Sequence, residues 1–306
     1  MNGSDVLVTG ATGYIGGLLV PVLIERGRKV RCLSRDPQRL HDKPWFGQVE
    51  HADGDALRQG SLDRALAGIN TAYYLIHSMS HSGGYATLDR RAALNFAKAC
   101  TQANVERIIF LGALGDPERR LSKHLRSRQD TGAALRSGKA KVTELRAAQI
   151  IGWNSASFQI IREVIELLPV IPAPPEIRTR AQPIAEADVL QYLARCLDQP
   201  ATADDIFEIG GPEVLTYKQL LEQFGEAIGR PVLVLEVPVL PATLAANLVS
   251  LVTPRHPRSL SEALMLGLGS EVVVEDNRIC DLIPFVRTRF HEAVRQAYRS
   301  GGRSMV

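Results

Sequence analysis

The stretch Thr9-Gly10-Ala11-Thr12-Gly13-Tyr14-Ile15-Gly16 follows the apolar run Val6-Leu7-Val8 and precedes an amphipathic segment carrying Leu18, Leu19, Val22 and Leu23. This is the pattern of a strand, a glycine turn and a helix start. Gly10 permits a tight turn, Gly13 lets backbone N–H groups come close to a ligand, and Gly16 lets the helix pack against the strand. A helix N-terminus of this kind presents free N–H groups and a partial positive charge, which suits the phosphates of a dinucleotide. Glycines also serve ordinary turns. Here a second apolar run, Val30 to Leu33, supplies the βαβ context that favours phosphate binding.

Beyond this unit, apolar runs recur at Ala72–Ile76, Ile108–Leu111 and Val142–Leu145, with a weaker one near Val49. Helical patterns lie between them, most clearly in Leu88 to Cys100, where Leu94, Phe96, Ala97 and Cys100 share a face. The alternation predicts an α/β fold: a doubly wound, Rossmann-like parallel sheet with helices on both faces and a smaller C-terminal lobe. Its ligand should lie at the carboxyl ends of the strands. Further along, Phe158–Leu168 and Ala187–Leu197 read as helices, and Ile206–Ile209 as a short strand before Gly210-Gly211-Pro212. Thr216 reads as the cap of a helix over Tyr217–Ile228. Pro169, Pro172, Pro174 and Pro175 predict a connector without regular structure. The expected organisation is a dinucleotide-binding core over residues 1–150. The remaining sheet elements and the lobe fill 151–306 within one integrated domain, with a substrate cleft between lobe and core.

A chain of 306 residues with 45% hydrophobic content can bury a full α/β core. Lys and Arg total 36 against 33 Asp and Glu, with no long basic block, which argues against a nucleic-acid surface. Cys32, Cys100, Cys196 and Cys280 are widely spaced, without the spacing of a metal site, and read as small core hydrophobes. The chain enters its first strand at once, leaving no room for a signal peptide, so a reducing cytoplasmic location is expected. The most apolar stretch, Pro238–Val252, is interrupted by Pro241, Asn247 and Ser250 and is too short to span a bilayer, although it can make peripheral contact.

The end of the second strand bears on the choice of dinucleotide. An Asp or Glu there usually accepts from a ribose 2′-OH, whereas a 2′-phosphate calls for a cation. This chain has Leu33-Ser34-Arg35-Asp36-Pro37. Ser34 can donate to a 2′-phosphate and Arg35 can pair with it, so NADP, with NADPH preferred over NADH, is the expected cofactor.

Several segments together resemble the extended and atypical short-chain dehydrogenase/reductases, particularly the NmrA-like NAD(P)-binding proteins. They are Thr9–Gly16, Gly54-Asp55, Tyr73 to Met79, Leu88-Asp89-Arg90-Arg91-Ala92, Ile108–Gly115, His124–Arg128, Thr143–Arg146, Gln182-Pro183-Ile184 and Phe207–Pro212. The resemblance implies a phosphate turn of Gly10, Thr12, Gly13, Tyr14, Ile15 and Gly16, with Asp55 and its neighbour Ala56 beside the adenine. It implies that Leu75, Ile76, His77 and Ser78 pass beneath the pyrophosphate and nicotinamide ribose. Leu111 and Gly112 should border the nicotinamide, and Ala148 should lie near its carboxamide. Gln182 and the connector Pro172–Arg180 are expected to line the cleft, where Arg178 and Arg180 can receive an acidic substrate, although connector arginines more often face solvent; a homodimer through the helices carrying Asp89 and His124 is plausible.

The chain departs from that family in one respect. Hydride transfer to a carbonyl needs a proton donor for the developing alkoxide. The family supplies it from a Tyr, a Lys four residues later and a Ser or Thr on the fifth strand. Here His124 and Arg128 hold the Tyr and Lys places, and Gly112 and Ala113 stand where the hydroxyl residue belongs. Three readings stay open. His124 donates the proton while Arg128 holds the ribose and favours NADP; or the protein binds NADP(H) without turnover, as a sensor or assembly factor; or another group such as His77 or Tyr73, or the substrate itself, supplies the proton. Asp89 and Arg90 read as surface ion-pairing residues. The apolar segments Val232–Val239 and Leu244–Leu251 hint at an apolar substrate such as a quinone, enone or isoprenoid. The leading expectation is thus an NADPH-dependent reductase of an apolar carbonyl or activated double bond. A nucleotide-sugar epimerase or dehydratase is a further alternative.

Overall fold

The computed structural model describes residues 5–36, 38–77, 85–115 and 122–303. The first half alternates strand and helix: β1 (Val6–Thr9), α1 (Tyr14–Glu25), β2 (Val30–Ser34), α2 (Gln38–His41), β3 (Glu50–Asp53), α3 (Gln59–Leu66), β4 (Thr71–Tyr74), α4 (Tyr85–Gln102), β5 (Arg107–Ala113), α5 (Lys123–Leu135) and β6 (Lys141–Ala147). There follow β7 (Ile150–Ile151), α6 (Ala156–Leu167), β8 (Val170–Ala173), β9 (Arg180–Ala181), β10 (Ile184–Ala185), α7 (Glu186–Cys196) and β11 (Ile206–Ile209). The chain ends with β12 (Leu215–Thr216), α8 (Tyr217–Ala227), β13 (Leu233–Glu236), α9 (Ala242–Val252), α10 (Arg258–Gly267), α11 (Arg278–Leu282) and α12 (Phe290–Arg303).

Seven strands form one parallel sheet in the order β11-β6-β5-β4-β1-β2-β3. Successive residues of β1 serve opposite faces. Val6 and Val8 pack with Leu19 and Leu23 of α1 and Leu193 of α7, whereas Leu7 packs with Leu62 of α3 and Phe96 of α4. Burial on both faces is why this strand is a continuous apolar run. The strand order reverses at β1, which has β2 on one side and β4 on the other, and a crevice opens there at the carboxyl ends.

Backbone close approaches fix the geometry of that crevice. Gly10 has φ +71°, and a Cβ on it would lie 2.7 Å from the Leu75 carbonyl oxygen. A Cβ on Gly16 would collide with the carbonyl of Gly10, and the Gly13 N–H donates to that same oxygen at 2.9 Å. The Thr9 hydroxyl donates to the Tyr73 carbonyl and accepts from the Leu75 N–H, at 3.0 and 3.1 Å. It takes the N–H that continued pairing would use. The strand expected over Ala72–Ile76 therefore stops at Tyr74, and Leu75 to His77 leave the sheet toward the crevice.

The lobe has its own core, in which Phe158, Ile161 and Ile165 of α6 pack with Leu220 and Phe224 of α8 and Val294 of α12. The sequence reading of Pro169–Pro175 as irregular is corrected here: β8 pairs in parallel with β13, and Pro175–Arg178 form a 3₁₀ turn. A two-stranded ladder leaves one edge of each strand unpaired, so the missing N–H of Pro172 costs no hydrogen bond. Thr216 caps α8 as expected, in a reciprocal box with Gln219. Among the described residues no helix is long and apolar enough to cross a membrane.

Gly16→Ala should destabilise the fold by about 1–3 kcal/mol, because the added methyl meets backbone that cannot move aside. Gly47→Ala, whose Cβ meets nothing within 4 Å, should be close to neutral in the same thermal unfolding measurement.

Candidate active site

Two cavities meet at the carboxyl edge of the sheet. The first, of about 610 Å³, is lined by Gly10, Thr12 and Gly13 of the turn, Ser34 and Arg35 at the end of β2, Asp55 and Ala56 after β3, and Leu75, Ile76 and His77 after β4. These expected residues come together from four loops. Arg39 of α2 joins them and was missed; its only sequence signal is a second arginine shortly after Arg35. Ser34 is less free than expected, since its hydroxyl donates to the Asp36 carbonyl and accepts from the Asp36 N–H. An open glycine backbone at the start of α1, with two cations at the far rim, fits a phosphate-bearing dinucleotide. Ile15 and Gly16 contribute through packing of α1, and Ser78 lies outside the described residues.

The second cavity, of about 370 Å³, lies between the sheet edge and the lobe. Its wall includes Tyr14, His77, Ala113, Ser122, His124, Ala148, Gln149 and Tyr217, with Leu260 and Leu264 of α10 covering it. His77 lines both cavities. Its Nδ1 lies 3.1 Å from Oδ2 of Asp89, and its ring centroid is 5.1 Å from that of His124. Asp89 is only 2% exposed, which corrects its reading as a surface ion-pairing residue. The signal was present: Asp89 continues the stripe of Ala92, Ala93, Phe96 and Cys100 along the buried face of α4.

Burial disfavours the protonated form of both imidazoles. Burial lowers the pKa of His77, and the Asp89 hydrogen bond only partly offsets it. Burial, then the neighbouring His77 and Arg128, push His124 down to about 4. The His124 Nδ1 and the Gln149 Nε2 are buried and make no hydrogen bond among the described residues. Tyr14 stands beside Glu186, and burial followed by the Glu186 charge raises its phenol far above the ordinary value. Gly152 makes this pair possible, because a Cβ there would fall on both side chains.

Arg128 sits behind the cavities. Its guanidinium donates to the Ile76 carbonyl at 3.2 Å and the Leu111 carbonyl at 2.6 Å, and stacks over Phe110 at 4.8 Å. At 7% exposure it fastens the ends of β4 and β5 together and lines neither cavity wall described above. Gly112 has a similar local reason. The buried carboxylate of Glu144, held by Arg136 and Arg146 at 2.5 and 2.8 Å, occupies the space that a side chain at Gly112 or Gly132 would need.

The three expected substrate residues are placed elsewhere. Gln182 is buried, donating to the Gly211 carbonyl and accepting from the Val274 N–H, so both ends of its amide are committed to the lobe. Arg178 and Arg180 are exposed and paired with Glu236 and Glu271. None of the three lines either cavity.

His124 makes stability depend on pH in a defined direction. Its pKa in the fold is about 4, below the ordinary 6.5, so the unfolded chain binds the proton more readily. The stabilisation this gives is complete above pH 6.5 and is lost as pH falls toward 4. Melting temperatures of wild type and His124→Phe between pH 7 and 4 should converge or cross on acidification, with the variant losing less.

Residues 10–200 match the family described as NAD(P)H-binding. A curated relative from Streptomyces griseus, (4-alkanoyl-5-oxo-2,5-dihydrofuran-3-yl)methyl phosphate reductase, is 25% identical over 234 residues, 74% of each chain. Several other curated relatives are matched over about a third of their own length, 35% and 31% for two of them. Among solved structures, a nucleoside-diphosphate-sugar epimerase from Staphylococcus aureus superposes with TM-score 0.78 at 19% identity, covering 95% of this chain and 99% of that one. The Citrobacter sp. triphenylmethane reductase complexed with NADP(H) gives 0.77 at 22% identity, with coverage of 95% and 99%. The fold is thus shared with this epimerase and this reductase, and the chain belongs to the NAD(P)H-binding family.

Proposed function

We propose that this protein is an NADPH-dependent reductase of an apolar carbonyl or activated double bond. The observation that carries this reading is His77, which is anchored by a buried carboxylate where the phosphate-binding groove meets the lobe-covered cavity. The names of two similar proteins agree with it: the Streptomyces griseus relative is a reductase, and the Citrobacter reductase binds NADP(H). On this reading residues 1–150 hold the dinucleotide, and 151–306 complete the sheet and cover the substrate. A reducing cytoplasmic setting accords with four free cysteines, of which Cys32, Cys100 and Cys196 are buried.

NADPH, when bound, supplies the hydride. The turn from Gly10 to Gly13 holds the pyrophosphate, Asp55 and Ala56 flank the adenine, and Arg35 and Arg39 take the 2′-phosphate. Leu75, Ile76 and Ala148 line the path toward the reacting end. Asp89 accepts from Nδ1 of His77 and so directs Nε2 toward the substrate oxygen. Proton delivery from Nε2 requires the imidazolium, which burial and Arg128 disfavour. Reduction should therefore strengthen as pH falls, and the reverse oxidation, with Nε2 as base, should strengthen as it rises. Arg128 acts at one remove, by fixing the carbonyls on either side of His77's strand end.

A second reading, an NADP(H) sensor without turnover, draws on one observation: the family's Tyr and Lys places hold a depressed imidazole and a guanidinium bonded to carbonyls.

NADPH consumption over a panel of ketones, enones, quinones and aldehydes separates the two. His77→Phe should lower kcat about a hundredfold or more with NADPH affinity retained, and should flatten a pH profile that falls tenfold per unit above the imidazole pKa. Tight NADPH binding without turnover on any compound would favour the sensor. Arg35→Ala with Arg39→Ala should weaken NADPH binding by about ten- to a hundredfold and leave NADH nearly unchanged, as expected for lost charge-assisted hydrogen bonds. Tighter binding of NADH than NADPH by the wild type would overturn the NADP assignment.

A further inference from the structure

A third cavity, of about 280 Å³, lies under the lobe helices α9 and α10, against α6 and β8. Every residue on its wall is apolar, among them Val164, Ile171, Val249, Val252, Met265 and Leu268. The space opens to solvent beside Leu248 and Leu251, and its wall offers water no hydrogen-bonding side chain, so an apolar group is its favourable occupant. Ile160 and Leu264 belong both to its wall and to the wall of the cavity that contains His77. The two spaces therefore adjoin across a boundary of two side chains. The second cavity carries polar side chains, among them His77, His124, Gln149 and Tyr217; the third carries none.

We propose that the two cavities form one bipartite substrate site, in which the reducible head lies beside His77 and an unbranched hydrocarbon tail passes between Ile160 and Leu264 into the third cavity. The head portion of this proposal rests on the reductase reading above; the tail portion rests on the cavity alone. A methylene chain threads a two-residue boundary, whereas a fused-ring skeleton does not. At roughly 30 Å³ per methylene-sized group, similar to the share of a water in the liquid, the third cavity accepts on the order of nine carbons. The substrate class is thus a long-chain aliphatic ketone, aldehyde or enone. The outer side of α9 fits such an amphiphile, since Leu248 and Leu251 are exposed at 44% and 77% beside the cavity they also line.

The test uses a homologous series of 2-alkanones from C4 to C14 with the NADP⁺-saturated protein, read by calorimetric affinity and, separately, by NADPH turnover. Affinity should rise with length by up to about fourfold per methylene, the equivalent of burying one CH₂, and level off once the cavity is full. Val249→Trp, which fills the cavity from α9, should remove the length dependence while leaving the affinity for C4 unchanged. Val249→Phe is the milder variant should the larger one not fold, and should move the plateau to shorter chains. Length-dependent, Val249-sensitive binding without turnover would uphold the tail site and count against the reductase reading alone. A flat series, or a length dependence that Val249→Phe and Val249→Trp leave intact, overturns the tail site. So does preferential, Val249-sensitive binding of a tetracyclic ketone, which would make this a ring pocket. Sedimentation with phosphatidylcholine vesicles and no chain-length dependence overturns it in favour of a membrane-contact face.

Discussion

The contact on which the rest of the site depends is between backbone and backbone. At the first turn, the carbonyl of Gly10 lies where a Cβ of residue 16 would be, and the carbonyl of Leu75 lies where a Cβ of residue 10 would be. These approaches draw the start of α1, the end of β1 and the exit from β4 to one point. The Thr9 hydroxyl closes the same point with two hydrogen bonds to β4 and its exit. As a result Leu75, Ile76 and His77 are turned out of the sheet at the place where the strand order reverses. The groove and the imidazole at its end are thus consequences of one steric condition that only glycine meets.

Buried charge does the second part of the positioning. Arg128, four residues after His124, donates to the carbonyls of Ile76 and Leu111. Behind it the Glu144 carboxylate, fully buried, is held by Arg136 and Arg146 in space left by Gly112 and Gly132. Removing one partner from such a cluster leaves an uncompensated charge, so its members are mutually dependent. Arg128, Glu144, Arg136 and Arg146 together brace the ends of the central strands. The polar groups that face the cleft include His77, backed by Asp89, with His124, Gln149, Tyr217 and Tyr14, which stands beside Glu186.

The lobe contributes a contrast of environment. Beside the sheet edge its wall is mixed, with Tyr217 and Gln149 among apolar side chains, while under α9 and α10 it is entirely apolar. β8, built from a proline-rich segment, supports that apolar wall by pairing with β13. The two adjoining cavities thus differ in character, one offering hydrogen-bonding groups and the other only hydrocarbon.

How much of this could be read from the sequence follows from the range of the interactions involved. The glycine turn, the parallel strands and the doubly wound class were legible, because each is encoded by neighbours: spacing of glycines, apolar runs buried on both faces, helical periodicity between them. Asp89 was legible in principle from the buried stripe of its helix. Arg39 reaches the groove, Glu186 comes to Tyr14 from the other half of the chain, and β8 finds β13 some sixty residues on, as set by the register Val170↔Leu233. The sequence by itself therefore determined the fold class and the groove for a dinucleotide, since local stereochemistry decides both. Only the tertiary structure decided that Arg128 braces two strands, that Gln182, Arg178 and Arg180 stand away from the cleft, and that His77 joins two cavities. Those outcomes depend on which distant carbonyl, carboxylate or helix lies within a few ångströms, and no local pattern carries that information.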